Sequence, residues 1–129
     1  MRVLLYVLFV YHGANGLIML ADPGLWYANV PDVEHTGPLN VHFVRDIGFG
    51  FIAAALALFL AARREAGDAV IWPAAAFLGG HAGLHLAEMA LHGIAPLAAV
   101  RDFLIIVVPG LAPLAIALAP RNVTKEART

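Results

Sequence analysis

Four side chains of the kind that bind metals recur at helical spacing in one segment: His81, His85, Glu88 and His92. At about 100° per residue they fall within an arc of about 60° and form one stripe roughly 16 Å long. Ionisable groups are costly in an apolar segment and usually mark function. The spacing therefore predicts a ligand-binding stripe on one face of a helix.

A second pair, His42 and Asp46, lies one helical turn apart on another segment. Imidazole together with carboxylate suits transition metals better than Mg²⁺ or Ca²⁺, and inward faces of four-helix bundles carry such centres. We therefore predict a site for Cu, Fe or Zn. The predicted ligands are His42, Asp46, His81, His85 and Glu88; further candidate ligands are His92, Asp102 and His12; the side chains expected to hold the ligands in place are Arg45, Arg101 and Asn15.

A b-type haem is the alternative cofactor. Its axial ligands would be His12 and His81, which lie near the middle of two apolar segments and are flanked by glycine, and Arg45 and Arg101 could bind the propionates. The chain would then be an electron-transfer membrane protein. This alternative leaves the other ligand-type side chains without a role, so the metal is favoured. The chain has no cysteine, which excludes thiolate metal sites, Fe–S clusters and covalently attached haem. A proton path and a structural polar network are the remaining alternatives.

The elements that carry these residues are apolar throughout. The composition is 61% hydrophobic and 13% charged, whereas soluble domains are about 45–50% apolar and about a quarter charged. Each of four apolar stretches is long enough to cross about 30 Å of hydrocarbon. They cover residues 3–21, 41–62, 69–92 and 97–119. The sequence predicts a single all-α domain, an antiparallel four-transmembrane-helix bundle, with Pro109 and Pro113 bending the fourth span.

The distribution of basic residues predicts the orientation. Lys and Arg concentrate in cytoplasmic loops, and most of the basic residues fall on one side if both termini are cytoplasmic. The 22–40 loop then lies outside, and the ligand-type side chains lie in the outer half of the membrane. The basic residues on the predicted inner side are Arg2, Arg63, Arg64, Arg121, Lys125 and Arg128.

A short repeat relates the two halves of the chain. Residues 43–47 read FVRDI and residues 99–103 read AVRDF, while residues 11–14 read YHGA and residues 80–83 read GHAG. The halves therefore look like two helical hairpins of one design, related by a parallel repeat. Because the matches are short, duplication and chance both remain open.

The segment 37–48, GPLNVHFVRDIG, resembles a signature of uncharacterised small bacterial membrane proteins with four helices. In that pattern a Gly-Pro-aromatic-Asn-x-His-x3-Asp-x-Gly segment opens the second helix and a histidine-rich third helix follows. Leu39 stands where the pattern has an aromatic residue. The resemblance implies a bacterial cytoplasmic membrane protein and supports grouping the histidines with Asp46, but it implies no reaction. The matching ligand-type residues are His42, Asp46, His81 and His85.

Three functional classes follow from these features. The chain could be a redox or oxygen-activating membrane enzyme or an accessory subunit of one, a metal-handling protein, or a structural subunit. We expect it to form a homo-oligomer or to join a larger membrane complex in the lipid bilayer. The net charge of −1 makes nucleic acid an unsuitable partner. Transport is the least favoured role, because residues 51–60 and 105–118 contain no ionisable side chain.

Overall fold

The computed structural model describes residues 1–63 and 68–119, and this part of the chain is helical with no β-strand. The all-α prediction is therefore confirmed for these residues. Four of the basic residues used to predict the orientation, Arg64, Arg121, Lys125 and Arg128, lie outside them. The helices are α1 (Arg2–Ala21), α2 (Pro23–Asn29), α3 (Val41–Arg63), α4 (Ile71–His92), α5 (Pro96–Asp102) and α6 (Val108–Leu118), with 3-10 turns at Val33–Thr36 and Asp68–Val70 and a π-helical turn at Phe103–Val107.

Three helices are long and apolar enough to cross a membrane: Arg2–Ala21, Val41–Arg63 and the composite Pro96–Leu118. They mark the chain as a membrane protein. The fourth predicted span, α4, has a comparable length of 22 residues but is not among these three. Its three histidines and its glutamate lower its hydropathy, so the residues that predict a site also weaken its character as a membrane span.

Side chains at the helix ends explain why the chain turns where it does. Asp22 follows α1, and its Oδ1 accepts a hydrogen bond from the Leu25 amide at 2.9 Å, which caps α2. Pro23 occupies the first turn of α2, where a missing amide costs nothing. The Oδ1 atom of Asn40 likewise accepts from the Phe43 amide at 3.1 Å and begins α3. Gly93 ends α4 at a φ of +69°, a conformation that side chains disfavour.

The helices pack in the order α1, α3, α4, α6. The most extensive pair is α1 with α3, and α4 lies against both α3 and α6. Leu58, Ala74 and Leu78 have no exposed surface, so the centre of the core lies between the second half of α3 and the first half of α4.

Glycine allows close backbone approach at two helix crossings. A Cβ atom on Gly16 of α1 would lie 2.8 Å from the carbonyl oxygen of Gly48 on α3. A Cβ atom on Gly110 of α6 would lie 2.9 Å from the Leu78 carbonyl oxygen of α4. Both crossings therefore require a residue without a side chain.

Packing is much looser along the second half of α4, toward the end of the molecule that carries the 22–40 loop. We call this end of the molecule the loop end, and Arg101 of α5 reaches Asp32 of the loop there. No residue of α4 after Ala82 is buried. A Cβ atom on Gly80 or Gly83 would meet nothing within 4 Å. The second half of α4 is thus an open face.

Candidate functional site

Three of the predicted histidines lie along one row of aromatic rings that joins α1, α3 and α4. His12 stacks on Phe51 with ring centroids 5.9 Å apart, and Phe51 meets His81 edge-on at 5.4 Å. His81 in turn meets His85 edge-on at 4.8 Å. We call these four side chains the imidazole row. The sequence did not indicate Phe51, because a phenylalanine in an apolar helix is normally read as core.

His12 is the buried end of this row, with 3% of its surface exposed. Its Nε2 atom lies 3.3 Å from the carbonyl oxygen of Pro109. A carbonyl can only accept, so Nε2 carries the proton and Nδ1 holds the lone pair of a neutral imidazole. This Nδ1 atom is buried and has no hydrogen-bond partner among the residues that the structure describes. The nitrogen that usually binds haem iron is thus directed at the Pro109 carbonyl, and Phe51 packs against both imidazoles proposed as axial ligands.

His81 and His85 form the accessible end of the row. Both are half-buried on α4, one turn apart as predicted. Within the described residues, neither ring makes a hydrogen bond to another protein group. Their nitrogens are therefore available as a pair of ligands on one side of the helix.

His42 and Asp46 touch each other, as their spacing predicted, with Nε2 and Oδ2 3.3 Å apart. Their side chains are 90% and 59% exposed. Glu88 and His92 are also exposed, on the open half of α4. Among the described residues, the five predicted ligands do not form a group of three or more whose ligand atoms lie within 4.8 Å of one another. The metal site built from them stays a prediction.

The two arginines expected to support the ligands differ in their contacts. Arg101 donates from Nε to Asp102 Oδ1 at 2.7 Å and from Nη2 to Asp32 Oδ2 at 2.6 Å. The bond from Arg101 lowers the pKa of the Asp32 carboxyl below its ordinary value. Arg45 instead donates to the Leu20 carbonyl at 3.3 Å, at the end of α1. Arg101 therefore holds a candidate ligand, Asp102, whereas Arg45 caps a helix.

Asn15 of α1 is hydrogen-bonded to the 22–40 loop. Its Oδ1 accepts a hydrogen bond from the indole of Trp26 at 3.0 Å, and its Nδ2 lies 3.7 Å from the Met19 sulfur. Asn15 thus attaches α2 to α1. It makes no hydrogen bond to any predicted ligand in the described part of the chain.

One group of ligand-type atoms was not predicted. Asp32, Glu34 and His35 lie at the 3-10 turn of the loop, with their ligand atoms within 4.8 Å of one another. The spacing Asp-x-Glu-His is the signal that the sequence offered. All three residues are exposed, and the Asp32 carboxylate is already bonded to Arg101. This group has the composition of a cation site but no enclosed surface.

Comparisons with known proteins add no relative: no protein-family model, no curated protein and no solved structure matches this chain. The resemblance carried by residues 37–48 therefore stays a prediction. Function has to be argued from the side chains themselves.

Proposed function

We propose that the chain is a four-span protein of the bacterial cytoplasmic membrane with both termini in the cytoplasm and the 22–40 loop outside. The fourth crossing would be α4, whose 22 residues correspond to about 33 Å of helix, enough for a hydrocarbon core of about 30 Å. It packs between α3 and α6. Only residues 93–95 separate it from the last helix, which makes an antiparallel neighbour the natural arrangement.

We further propose that this protein binds a transition metal, Cu, Fe or Zn, between α3 and α4 in the outer half of the membrane. The observation that carries the proposal is the contact of the His81 and His85 rings at 4.8 Å. Two imidazoles without protein partners, on the open side of a membrane helix, are a costly arrangement unless they bind something. They would supply the first two ligands.

The register of α3 against α4 supports Asp46 as the next ligand. The contact of Phe51 with His81 places these two residues at the same level. At about 1.5 Å per residue, Asp46 then lies about 7.5 Å closer to the loop end, between His85 at about 6 Å and Glu88 at about 10.5 Å.

His42 follows the same register, about 13.5 Å from the Phe51 level, between Glu88 and His92. The metal would draw together the outer parts of two helices that are now apart. His92 is exposed and available as a further ligand. Asp102 already pairs with Arg101 and is the less available candidate.

A b-type haem held by His12 and His81 is the second candidate. One observation favours it: the buried Nδ1 of His12 has no partner. Against it stands Phe51, which would have to leave both imidazoles before one iron could bind them.

The proposed role is that of a redox or oxygen-activating membrane enzyme, or an accessory subunit of one. Imidazole and carboxylate ligands suit copper or iron, and an accessible site leaves room for a further molecule at the metal. A metal-handling or structural subunit is the alternative. A homo-oligomer or a larger complex would cover the polar side chains that α4 now exposes, since such groups rarely face lipid.

The test is metal and haem content of protein purified without chelators, for the unmodified chain, His85→Ala, His12→Ala and His35→Ala. We expect about one metal per chain. His85→Ala should weaken binding at least 10–100-fold, since changes next to metal ligands alone have that effect. His12→Ala should retain the metal, and so should His35→Ala, which removes a ligand-type side chain from the exposed loop group of Asp32, Glu34 and His35 and so tests that group as the rival site. Affinity should fall at acidic pH, because ligating imidazoles must be neutral.

Other outcomes would overturn the proposal of a metal site. A Soret band that His12→Ala abolishes and His85→Ala keeps would replace the metal with haem. Less than stoichiometric metal together with no Soret band would leave the imidazole row a structural network.

A further inference from the structure

Two prolines in α6 remove two hydrogen bonds from the last long helix. In an α-helix, the amide of each residue bonds to the carbonyl four positions earlier. Proline has no amide hydrogen, so Pro109 cannot serve the Ile105 carbonyl and Pro113 cannot serve the Pro109 carbonyl. The sequence alone thus identifies two carbonyls without their ordinary donors.

Consecutive side chains of α1 lie against these same two carbonyls. The Tyr11 hydroxyl donates to the Ile105 oxygen. The Nε2 atom of His12 lies 3.3 Å from the Pro109 oxygen. Each side chain therefore occupies the place of one missing amide. In a membrane no water is present to do so, and an unpaired carbonyl there is costly.

The helix is also irregular just before the first proline. The Val108 amide bonds to the Phe103 carbonyl, five residues back, which makes Phe103–Val107 a π-helical turn. Such turns inside long helices commonly mark hinges and functional sites.

The part of the helix that leads up to this turn and includes it is lightly packed. Within residues 96–107, only Asp102 and Val107 are buried. Arg101 projects from this part and binds Asp32 of the 22–40 loop at 2.6 Å. The loop is therefore tied to a segment that itself has few packing contacts.

We propose that Tyr11 and His12 form a clasp that replaces the two missing amides and sets the angle of residues 96–107, which we call the arm. Opening the clasp lets the arm tilt at the π turn and separates Arg101 from Asp32, which releases the loop. Tyr11 and His12 thus have a positioning role that does not depend on any bound metal.

The test pairs each clasp residue with its own proline, in the full chain reconstituted in lipid, with amide hydrogen exchange as the readout. Tyr11→Phe should speed exchange in residues 103–112 about tenfold, the effect of one lost hydrogen bond of ordinary strength. Exchange in residues 30–37 should rise as well, because the pair of Arg101 with Asp32 attaches the loop to the arm. Tyr6→Phe removes a hydroxyl from the same helix away from these carbonyls and should change neither region.

Restoring the amides supplies the decisive controls. In Pro109→Ala the new amide can serve Ile105, so adding Tyr11→Phe should have no further effect. In Pro113→Ala the effect of Tyr11→Phe should remain, whereas that of His12→Phe should disappear.

Several results would overturn the clasp. The proposal fails if Tyr11→Phe acts equally in both proline variants, or if it acts undiminished in Pro109→Ala. A rise confined to residues 103–112 would refute the coupling to the loop. Should His12→Phe fail to fold, the Tyr11 comparison decides alone.

Discussion

The two helical hairpins carry the same short motifs with different contacts. In the first hairpin, α1 and α3, Arg45 caps the end of α1 and Asp46 touches His42. In the second, α4 and the last helix, Arg101 binds its neighbour Asp102 and reaches across to Asp32. Both hairpins contain the triplet Val-Arg-Asp. Its arginine thus holds a helix end in the first hairpin and a loop in the second.

The central histidines and glycines differ in the same way. His12 is buried and lies against a backbone carbonyl, whereas His81 is half-buried and its ring meets those of Phe51 and His85. A Cβ atom on Gly13 would touch Ala55 at 3.5 Å, but on Gly83 it would touch nothing. The first hairpin is closed by packing along its length, and the second is closed only in the half away from the loop end. The open part is where ligand-type side chains remain available.

The largest expected effect concerns the helix crossings. Gly16→Ala places a methyl group 2.8 Å from a backbone oxygen of α3 and should destabilise the protein by about 2–3 kcal/mol, the cost of overpacking. Gly110→Ala should destabilise the protein to a similar extent, because α6 and α4 cross equally closely at this glycine. The measurement is the midpoint of denaturant unfolding in detergent.

Gly83→Ala is the matched control in the open half of α4. It should be neutral, or stabilising by about 0.5–1 kcal/mol, since alanine favours the helix. A large loss of stability for Gly83→Ala would show that this face is covered, and the contrast between the hairpins would fail.

The two arginines give a smaller difference. Arg101→Ala leaves the buried Asp102 carboxylate without its cation and releases Asp32, so we expect the larger loss of stability of the two, because hydrogen bonds between charged groups are stronger than those to a neutral carbonyl. Arg45→Ala removes one bond to a carbonyl and should cost about 1 kcal/mol or less. Equal losses of stability in unfolding experiments would mean that the two arginines contribute equally despite their different contacts.

The smallest effect is the pH dependence of the loop. The folded-state pKa of Asp32 lies below its ordinary 3.8 because Arg101 binds the carboxylate. The stabilisation is therefore present above pH 3.8 and is lost as the pH falls through the lower folded value. It is small, since the carboxylate is exposed. NMR shifts of residues 30–37 should follow this titration, and Asp32→Asn should abolish it; a loop that detaches near neutral pH would contradict the pairing.

Local chemistry made much of the fold predictable. The apolar lengths predicted the ends of the long helices to within two residues in the described part of the chain, and Asp22-Pro23-Gly24 marked a true boundary. Next to Pro109 and Pro113, where the sequence predicts a bend, the helix contains a π turn that the sequence did not indicate. A proline shows which bond is missing but not how the neighbouring turn adjusts.

The site was predictable only within each helix. The pairs His81–His85 and His42–Asp46 are in contact, as periodicity requires. Whether two such pairs meet depends on how far α3 and α4 separate at the loop end, which tertiary packing decides. The partners of His12 and Arg101 were unpredictable for the same reason, because they lie about 70 or more positions away in the chain.

The polar character of α4 also has a consequence for how the protein enters the membrane during synthesis. Histidine and glutamate near the middle of a segment oppose its partition from the translocon into lipid. The last helix is apolar enough to cross on its own account, and it follows after only residues 93–95. On the four-span topology proposed above, we expect the nascent α4 to wait at the cytoplasmic side until its successor has been made, so that the two enter together. The second hairpin would then be a unit of insertion, and a chain cut short before residue 96 should leave α4 outside the bilayer.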